Sequence, residues 1–322
     1  MTSQQSEAVH LIPTGGQTPA GTDTEFATKS RSQGRQALSR YLHSPVAMIA
    51  LGVFLFIVLF SFIAPNFYRW KYNAIDSRLD KHGNYIALSL HPGQLGHPLG
   101  TDGTGFDLLA QLMQGTQRDV VIVLVSTSLT LLIGIVIGSV SGYFGTIVDN
   151  VLMRFVDVML CVPALVILII VANQYPSLGA TGLAVLLGLF GWMGLSRLVR
   201  AQFLGLRERE FVEASHAMGA SNFRIIFRHL IPNSLSSILV FGTLFAAVSI
   251  VAETSLTYLG YGVHAPDTSL GLLVSNGVDA AETRPWLFYF PGILILIIVL
   301  AINLIGEGIR NAFDPRHTRV RD

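Results

Sequence analysis

Six stretches of this 322-residue chain are apolar enough and long enough to cross a lipid bilayer: about 46–64, 120–143, 155–172, 180–195, 235–252 and 286–305. At ~1.5 Å of rise per residue, roughly 20 helical residues cover the ~30 Å of hydrocarbon in a membrane. No water reaches a backbone N–H or C=O at that depth, so a spanning segment must close its own hydrogen bonds, and separate apolar runs do so as α-helices. Composition agrees: 51% of residues are hydrophobic and 13% are charged, about half the ~25% charge of ordinary soluble domains. The chain reads as an all-α polytopic membrane protein with about six transmembrane helices. Residues 46–64 form a first anchor helix and 119–310 a five-helix core.

The basic residues orient these helices. Fifteen of the 21 Lys and Arg lie before the first span, at Arg154, between the fourth and fifth spans, or after the sixth. Basic residues concentrate on the cytoplasmic side, so both termini and the 197–232 loop are expected there. Residues 1–45, rich in Ser, Thr, Gln and Gly, read as a disordered cytoplasmic tail rather than a cleaved signal peptide, since no apolar stretch precedes Val46. Residues 65–118 then form an extracytoplasmic loop, with aromatics and charges at 67–71 suited to headgroup depth, and 311–322 a second cytoplasmic tail. A net charge of +1 gives no reason to expect nucleic acid. The single cysteine, Cys161, excludes an internal disulfide and reads as a small buried apolar residue.

The loop at 211–232, FVEASHAMGASNFRIIFRHLIP, is too polar to lie in lipid. Phe211, Val212, Ala214, Ser215 and Met218 recur at helical spacing, predicting a short amphipathic helix. Gly219 can end it in a left-handed conformation. Ser221 offers an N-cap for a second helix running to about Leu230, and Pro232 breaks the pattern before the fifth span. Two short helices at an elbow make a knob for the groove of a soluble partner; the same composition suits a helix resting on lipid headgroups. Glu213, Ala214, Ser215, Gly219, Ile231 and Pro232 resemble the EAA signature of ABC-importer permeases, the family's docking site for a cytoplasmic ATPase. Ser215 stands for the third small residue, His229 for an isoleucine and Ile231 for a leucine, with the spacing intact.

Four further segments resemble the dipeptide, oligopeptide and nickel branch of that family. HPLGTDGTGFD at 97–107, turn-forming by its Gly and Pro content, matches HPLGTDxxGRD with Phe106 in place of arginine. DNVLMRFVDVMLCVP at 149–163 opens the third span; Arg154 and Asp157, three apart, share a helix face and can pair at the membrane boundary, and Pro163 should kink the helix. ETSLTYLGYG at 253–262 places Glu253 at the outer end of the fifth span, a pathway candidate or a solvated helix end. GEGIRNAFDPR at 306–316 closes the resemblance, which covers about two thirds of the chain. It implies a C-type permease with a type I, MetI-like core. The implied partners are a homologous B-type permease, two cytoplasmic ATP-binding subunits that use ATP and Mg, and an extracytoplasmic substrate-binding protein, all working in a bacterial cell membrane on short peptides. The same machine importing nickel or another small solute is the alternative. Arg154, Asp157 and Glu253 are the candidate gating or pathway residues.

The chain has no G-x-x-x-x-G-K-[ST], H-E-x-x-H or G-x-S-x-G motif, so no catalytic site or bound cofactor is expected in it. The outer histidines His82, His91 and His97 are spaced by nine and six residues, which matches no compact metal site. A secondary transporter would be signalled by inverted repeats and a mid-membrane acid, and the sequence shows neither. In the second span Gly134 and Gly138 form a GxxxG, either a helix interface or a chance pattern.

Overall fold

Each apolar run forms helix, and several helices extend beyond it because their polar ends are satisfied by partners on other segments. The computed structural model describes residues 33–175 and 178–313. Helix α1, Gln33–Leu42, precedes α2, Pro45–Ile63, which starts on Pro45, where a missing N–H costs nothing. The long connection that follows leads to α3, Leu108–Phe144, of 37 residues. Helices α4, Thr146–Cys161, and α5, Ala164–Gln174, are bent by 72° at Val162 and Pro163. Both residues are extended, and Pro163 has no N–H to continue the ladder. Helix α6, Gly179–Arg207, is followed by α7, Glu210–Ala217, α8, Asn222–Ile225, and α9, Ile231–Tyr258. Helix α10, Leu270–Gly277, and α11, Trp286–Phe313, complete the order. Among the described residues five helices are long and apolar enough to span, or six if α4 and α5 count as one broken span.

Five sequence expectations need correction. Within the tail expected to be disordered, residues 33–42 are α1, whose Ala37 is buried and whose Tyr41 packs on Gly308 of α11; residues 1–32 lie outside the described residues. The loop expected at 65–118 ends at Asp107. The polar residues of 108–118 mask a helical face on which Leu108, Leu112 and Met113 are buried. Residues 197–207 belong to α6 rather than to a loop, because Arg197 and Arg200 find acidic partners across the helix interface. The last helix runs to Phe313, and the rest of the 311–322 tail lies outside the described residues. Cys161 is exposed on the chain rather than buried.

Helices α3 and α6 form the largest interface of the bundle, and glycine makes it possible. A Cβ on Gly134 would lie 2.8 Å from the Leu195 side chain, one on Gly138 2.7 Å from Val199 Cβ, and one on Gly142 2.6 Å from Phe203 Cβ. From the opposite helix, Gly188 approaches the Ser126 carbonyl, and its own carbonyl accepts from the Thr130 hydroxyl at 3.2 Å. Lipid offers helices no hydrophobic drive to associate, so this close backbone approach supplies the attraction. The GxxxG is an interface. At one end of the bundle an apolar cluster of Leu195, Val199, Phe203 and Ile238 takes in Val212, Ile225 and Leu230 of the α7–α9 region; at the other, Leu108, Leu112, Leu270 and Leu287 join α3, α10 and α11.

Gly138→Val should lower the thermal midpoint of the detergent-solubilised chain, by roughly the 1–3 kcal/mol of an overpacked core. Gly292→Ala, where no atom lies within 4 Å of the new Cβ, should leave the midpoint unchanged or raise it.

Candidate functional site

The knob between α6 and α9 is built on local backbone chemistry. Arg209 is extended and opens α7. That helix closes in a Schellman arrangement: the Ala220 N–H donates to the Ser215 carbonyl at 3.0 Å and the Gly219 N–H to His216 at 2.9 Å, with Gly219 at φ +79°. Only glycine adopts that φ without strain. The Ser221 hydroxyl then accepts from the Arg224 N–H and caps α8.

Pro232 does not break the pattern, contrary to the sequence expectation. A π-helical turn, Ile226–Leu230, joins α8 to α9, and the Ile231 N–H reaches back to the Ile226 carbonyl. This wider turn accommodates the proline in the first turn of α9, and the Asn233 side chain donates to the His229 carbonyl at 2.6 Å. Residues 222–258 therefore form one continuous rod.

Burial divides the residues of the EAA-like set. Ser215 is buried and donates to the Phe211 carbonyl at 2.7 Å; Ile231 is half-buried against the apolar cluster beneath the knob. Glu213, Ala214, Gly219 and Pro232 are exposed. So are Met218 at 80%, Phe223 at 70% and Phe227 at 54%, the two phenylalanine rings lying 4.2 Å apart. The sequence reading did not single out Phe223 and Phe227, although large apolar residues within an Arg-containing segment were the available signal. It also passed over Tyr143, at the end of α3. The Tyr143 hydroxyl donates to Asn222 Oδ1 at 2.8 Å and lies 3.3 Å from His216 Nε2, pinning both short helices. Beside it a cavity of about 420 Å³ is bordered by Arg207, Glu213 and His216.

Two ion pairs lie near the knob. Asp157 pairs with Arg197 of α6 at 2.5 Å, not with Arg154 as its spacing suggested. Asp157 lies within reach of α6, whereas Arg154 is on an exposed face of α4. Asp149, at the start of α4, accepts from Arg200 Nε and Nη2 at 2.5 and 2.6 Å and from the Ser141 hydroxyl of α3. That three-helix junction joins α3, α4 and α6 just below the knob, and the sequence reading did not identify it.

At the opposite end Glu253 is 1% exposed, which excludes the solvated helix end. Its carboxylate accepts from Thr257 Oγ1 at 2.8 Å and presses on Gly271 in the first turn of α10, where a Cβ would lie 2.9 Å from Oε2. Asp119 of α3, also buried, borders Glu253 and the Leu270 amide. Two acids from two long helices thus meet at the N-terminus of α10. The second span, begun at residue 120, left Asp119 just outside it in the sequence reading.

The family described as binding-protein-dependent transport system inner membrane component matches residues 134–319, and the N-terminal transmembrane domain of oligopeptide transport permease C matches residues 32–90. The oligopeptide transport system permease protein OppC of Mycobacterium tuberculosis is 36% identical over 299 residues, covering 92% of this chain and 98% of that protein. OppC of Bacillus subtilis is 34% identical over 297 residues, 92% and 94% of the two chains, and a putative peptide permease protein of Brucella suis is 37% identical over 284 residues, 87% and 90%. An inward-facing structure of the MetNI methionine ABC transporter superposes with a TM-score of 0.54 at 19% identity, over 64% of this chain and 98% of its own, a likeness of fold alone. The chain belongs to the family of binding-protein-dependent transport system inner membrane components and is a permease component of an ABC importer.

Gly271→Ala should displace α10 and lower the thermal midpoint, because the new Cβ meets both the Glu253 carboxylate and the backbone of Thr254. Adding Glu253→Asp, one methylene shorter, should recover part of the loss; additive effects would show that the two positions do not touch.

Proposed function

We propose that this chain is the C-type subunit that, with a homologous B-type permease, encloses the membrane pathway of an ATP-driven importer of short peptides. An extracytoplasmic binding protein delivers the peptide, and two cytoplasmic ATP-binding subunits use ATP and Mg to drive the cycle. The knob and both termini face the cytoplasm of a bacterial cell, and the chain performs no covalent chemistry itself. The peptide cargo is supported by the oligopeptide permeases among its relatives.

The observation that carries the reading is the knob, firmly based but exposed at its tip. Val212, Ile225 and Leu230 anchor it in the bundle while Met218, Phe223 and Phe227 are left uncovered beside Glu213 and Arg224. Exposed apolar side chains rimmed by charge fit a protein groove. In this arrangement Glu213 makes a polar contact with the ATPase, Ala214 lets it approach closely, and Gly219 sets the angle between the short helices. Ser215 stiffens α7 from within. Ile231 and Pro232 join α8 to α9 without a hinge, so a sideways displacement of the knob moves the whole α8–α9 rod. On the other flank, α7 follows α6 directly, and the Arg197–Asp157 and Arg200–Asp149 pairs link α6 to α4. Arg154 and Asp157 thus stand where motion of the ATPases is passed to the broken span, and Glu253 where α9 engages the outer helix α10.

Gly219→Val and Glu213→Ala should insert and assemble with the partner permease but lose retention of the ATPase and peptide uptake, the valine more severely because φ > 0 is strained for a β-branched residue. Co-purification of the ATPase alongside uptake of labelled peptide checks this, with nickel uptake as the comparison for cargo. Full retention and uptake in both variants would overturn the docking role. Reporter fusions at 215 and 90 should report opposite sides of the membrane, the first cytoplasmic.

A further inference from the structure

The HPLGTDGTGFD segment at 97–107 plays no part in the knob, yet it holds a buried ionic cluster. His97 is fully buried, Asp107 is 1% exposed and Asp76 4%. His97 Nδ1 lies 2.7 Å from Asp107 Oδ2 and Nε2 lies 3.1 Å from Asp76 Oδ2, while Trp70 stacks on the ring at 4.3 Å.

The surrounding bonds define what the ring faces. Arg78 Nε donates to both oxygens of Asp76, at 2.9 and 2.8 Å, and together with His97 holds that carboxyl down at about 2, so Asp76 only accepts. Asp107 accepts from the Ala110 N–H through Oδ1 at 2.7 Å and from the Tyr68 hydroxyl through Oδ2 at 3.2 Å. Burial, and then the Asp107 charge, push the Tyr68 hydroxyl well above its ordinary value, which keeps it a donor. Each imidazole nitrogen therefore faces a carboxylate oxygen that other donors already hold.

The three residues come from different places. Asp76 lies in the first third of the α2–α3 connection, His97 nearer its end, and Asp107 is the N-cap of α3. One imidazole ties the connection to the first turn of a transmembrane helix. Thr101 adds bonds to the Ala87 carbonyl and the Leu90 amide, and Arg284, beyond α10, donates to the Ser89 hydroxyl.

We infer that Asp76, His97 and Asp107 form a latch that makes the α2–α3 connection and α3 one rigid body, and that His97 is a positioning residue in the signal from an outer binding protein to the transport core. The inference rests on the importer reading above. Without the latch a push on the connection is absorbed there; with it the push reaches α3, and through the α3–α6 interface the knob.

A paired substitution tests this in the reconstituted complex with its ATPases. The carboxamide of His97→Gln can donate to one carboxylate but turns an oxygen toward the other. Adding Asp76→Asn supplies a donor to that oxygen and leaves Arg78 an acceptor. His97→Gln should keep assembly and basal ATP hydrolysis, while stimulation by loaded binding protein falls about ten-fold and the double variant recovers to within roughly three-fold of wild type, a ten-fold change corresponding to about 1.4 kcal/mol. Hydrogen exchange of amides 76–110 should quicken in the single variant and slow again in the double, whatever the transport result.

Normal exchange and stimulation in His97→Gln would overturn the latch, as would a double variant no better than the single in exchange. Restored exchange without restored stimulation would overturn its part in signalling. A wild-type complex that no binding protein stimulates, alongside the expected exchange series, would support the latch and count against the importer reading instead.

Discussion

The close approach of α3 to α6 is the contact on which the other features of this permease depend. In lipid, two helices attract by packing their surfaces rather than by leaving water, and here glycines at 134, 138 and 142 let the side chains of Leu195, Val199 and Phe203 lie almost on the neighbouring backbone. Helix α3 carries Asp107 and Asp119 toward one end and Tyr143 at the other. Helix α6 carries Arg197 and Arg200 and leads straight into the knob. Widening this interface would separate the α2–α3 connection, the broken span and the knob at once.

The charges near the membrane faces divide into a firm and a yielding kind. The Arg200–Asp149 pair is bidentate, joined by a hydroxyl from a third helix, and partly sheltered. The Arg197–Asp157 pair has about half of each side chain exposed, and exposed pairs of this kind contribute only ~0–1 kcal/mol. Such a contact holds α4 to α6 only weakly, whereas the first is suited to holding the junction together. The buried acids at the start of α10 behave differently again: Glu253 accepts from the Thr257 hydroxyl and packs against Gly271, which fixes that short helix relative to the long helix α9.

The knob shows how a rigid lever is made from irregular backbone. The Schellman closure at Gly219 and the serine cap turn the chain sharply while pairing the amides of Gly219, Ala220 and Arg224. The π turn passes Pro232 without a hinge, so direction changes once, at the elbow, and nowhere else between the tip and the far end of α9.

Much of this was legible in the sequence. Apolar run length determined helices and spans, since lipid leaves the backbone no other partner. Glycine and capping chemistry placed the elbow at Gly219 and Ser221, and Pro163 marked the bend, because these effects act within a few residues. What the sequence could not supply was the choice among partners distant along the chain. Spacing paired Asp157 with Arg154, yet Arg197 reached it first from another helix. Composition made 108–118 a loop until a core appeared to bury Leu108 and Leu112. Glu253 could have been a wet helix end until Asp119 and α10 closed over it, and His97 an ordinary loop histidine until residues twenty-one before it and ten after it met on its two nitrogens. Local backbone preference and hydrophobic length are written residue by residue; which buried charge meets which depends on three-dimensional packing, and only the tertiary structure decides it.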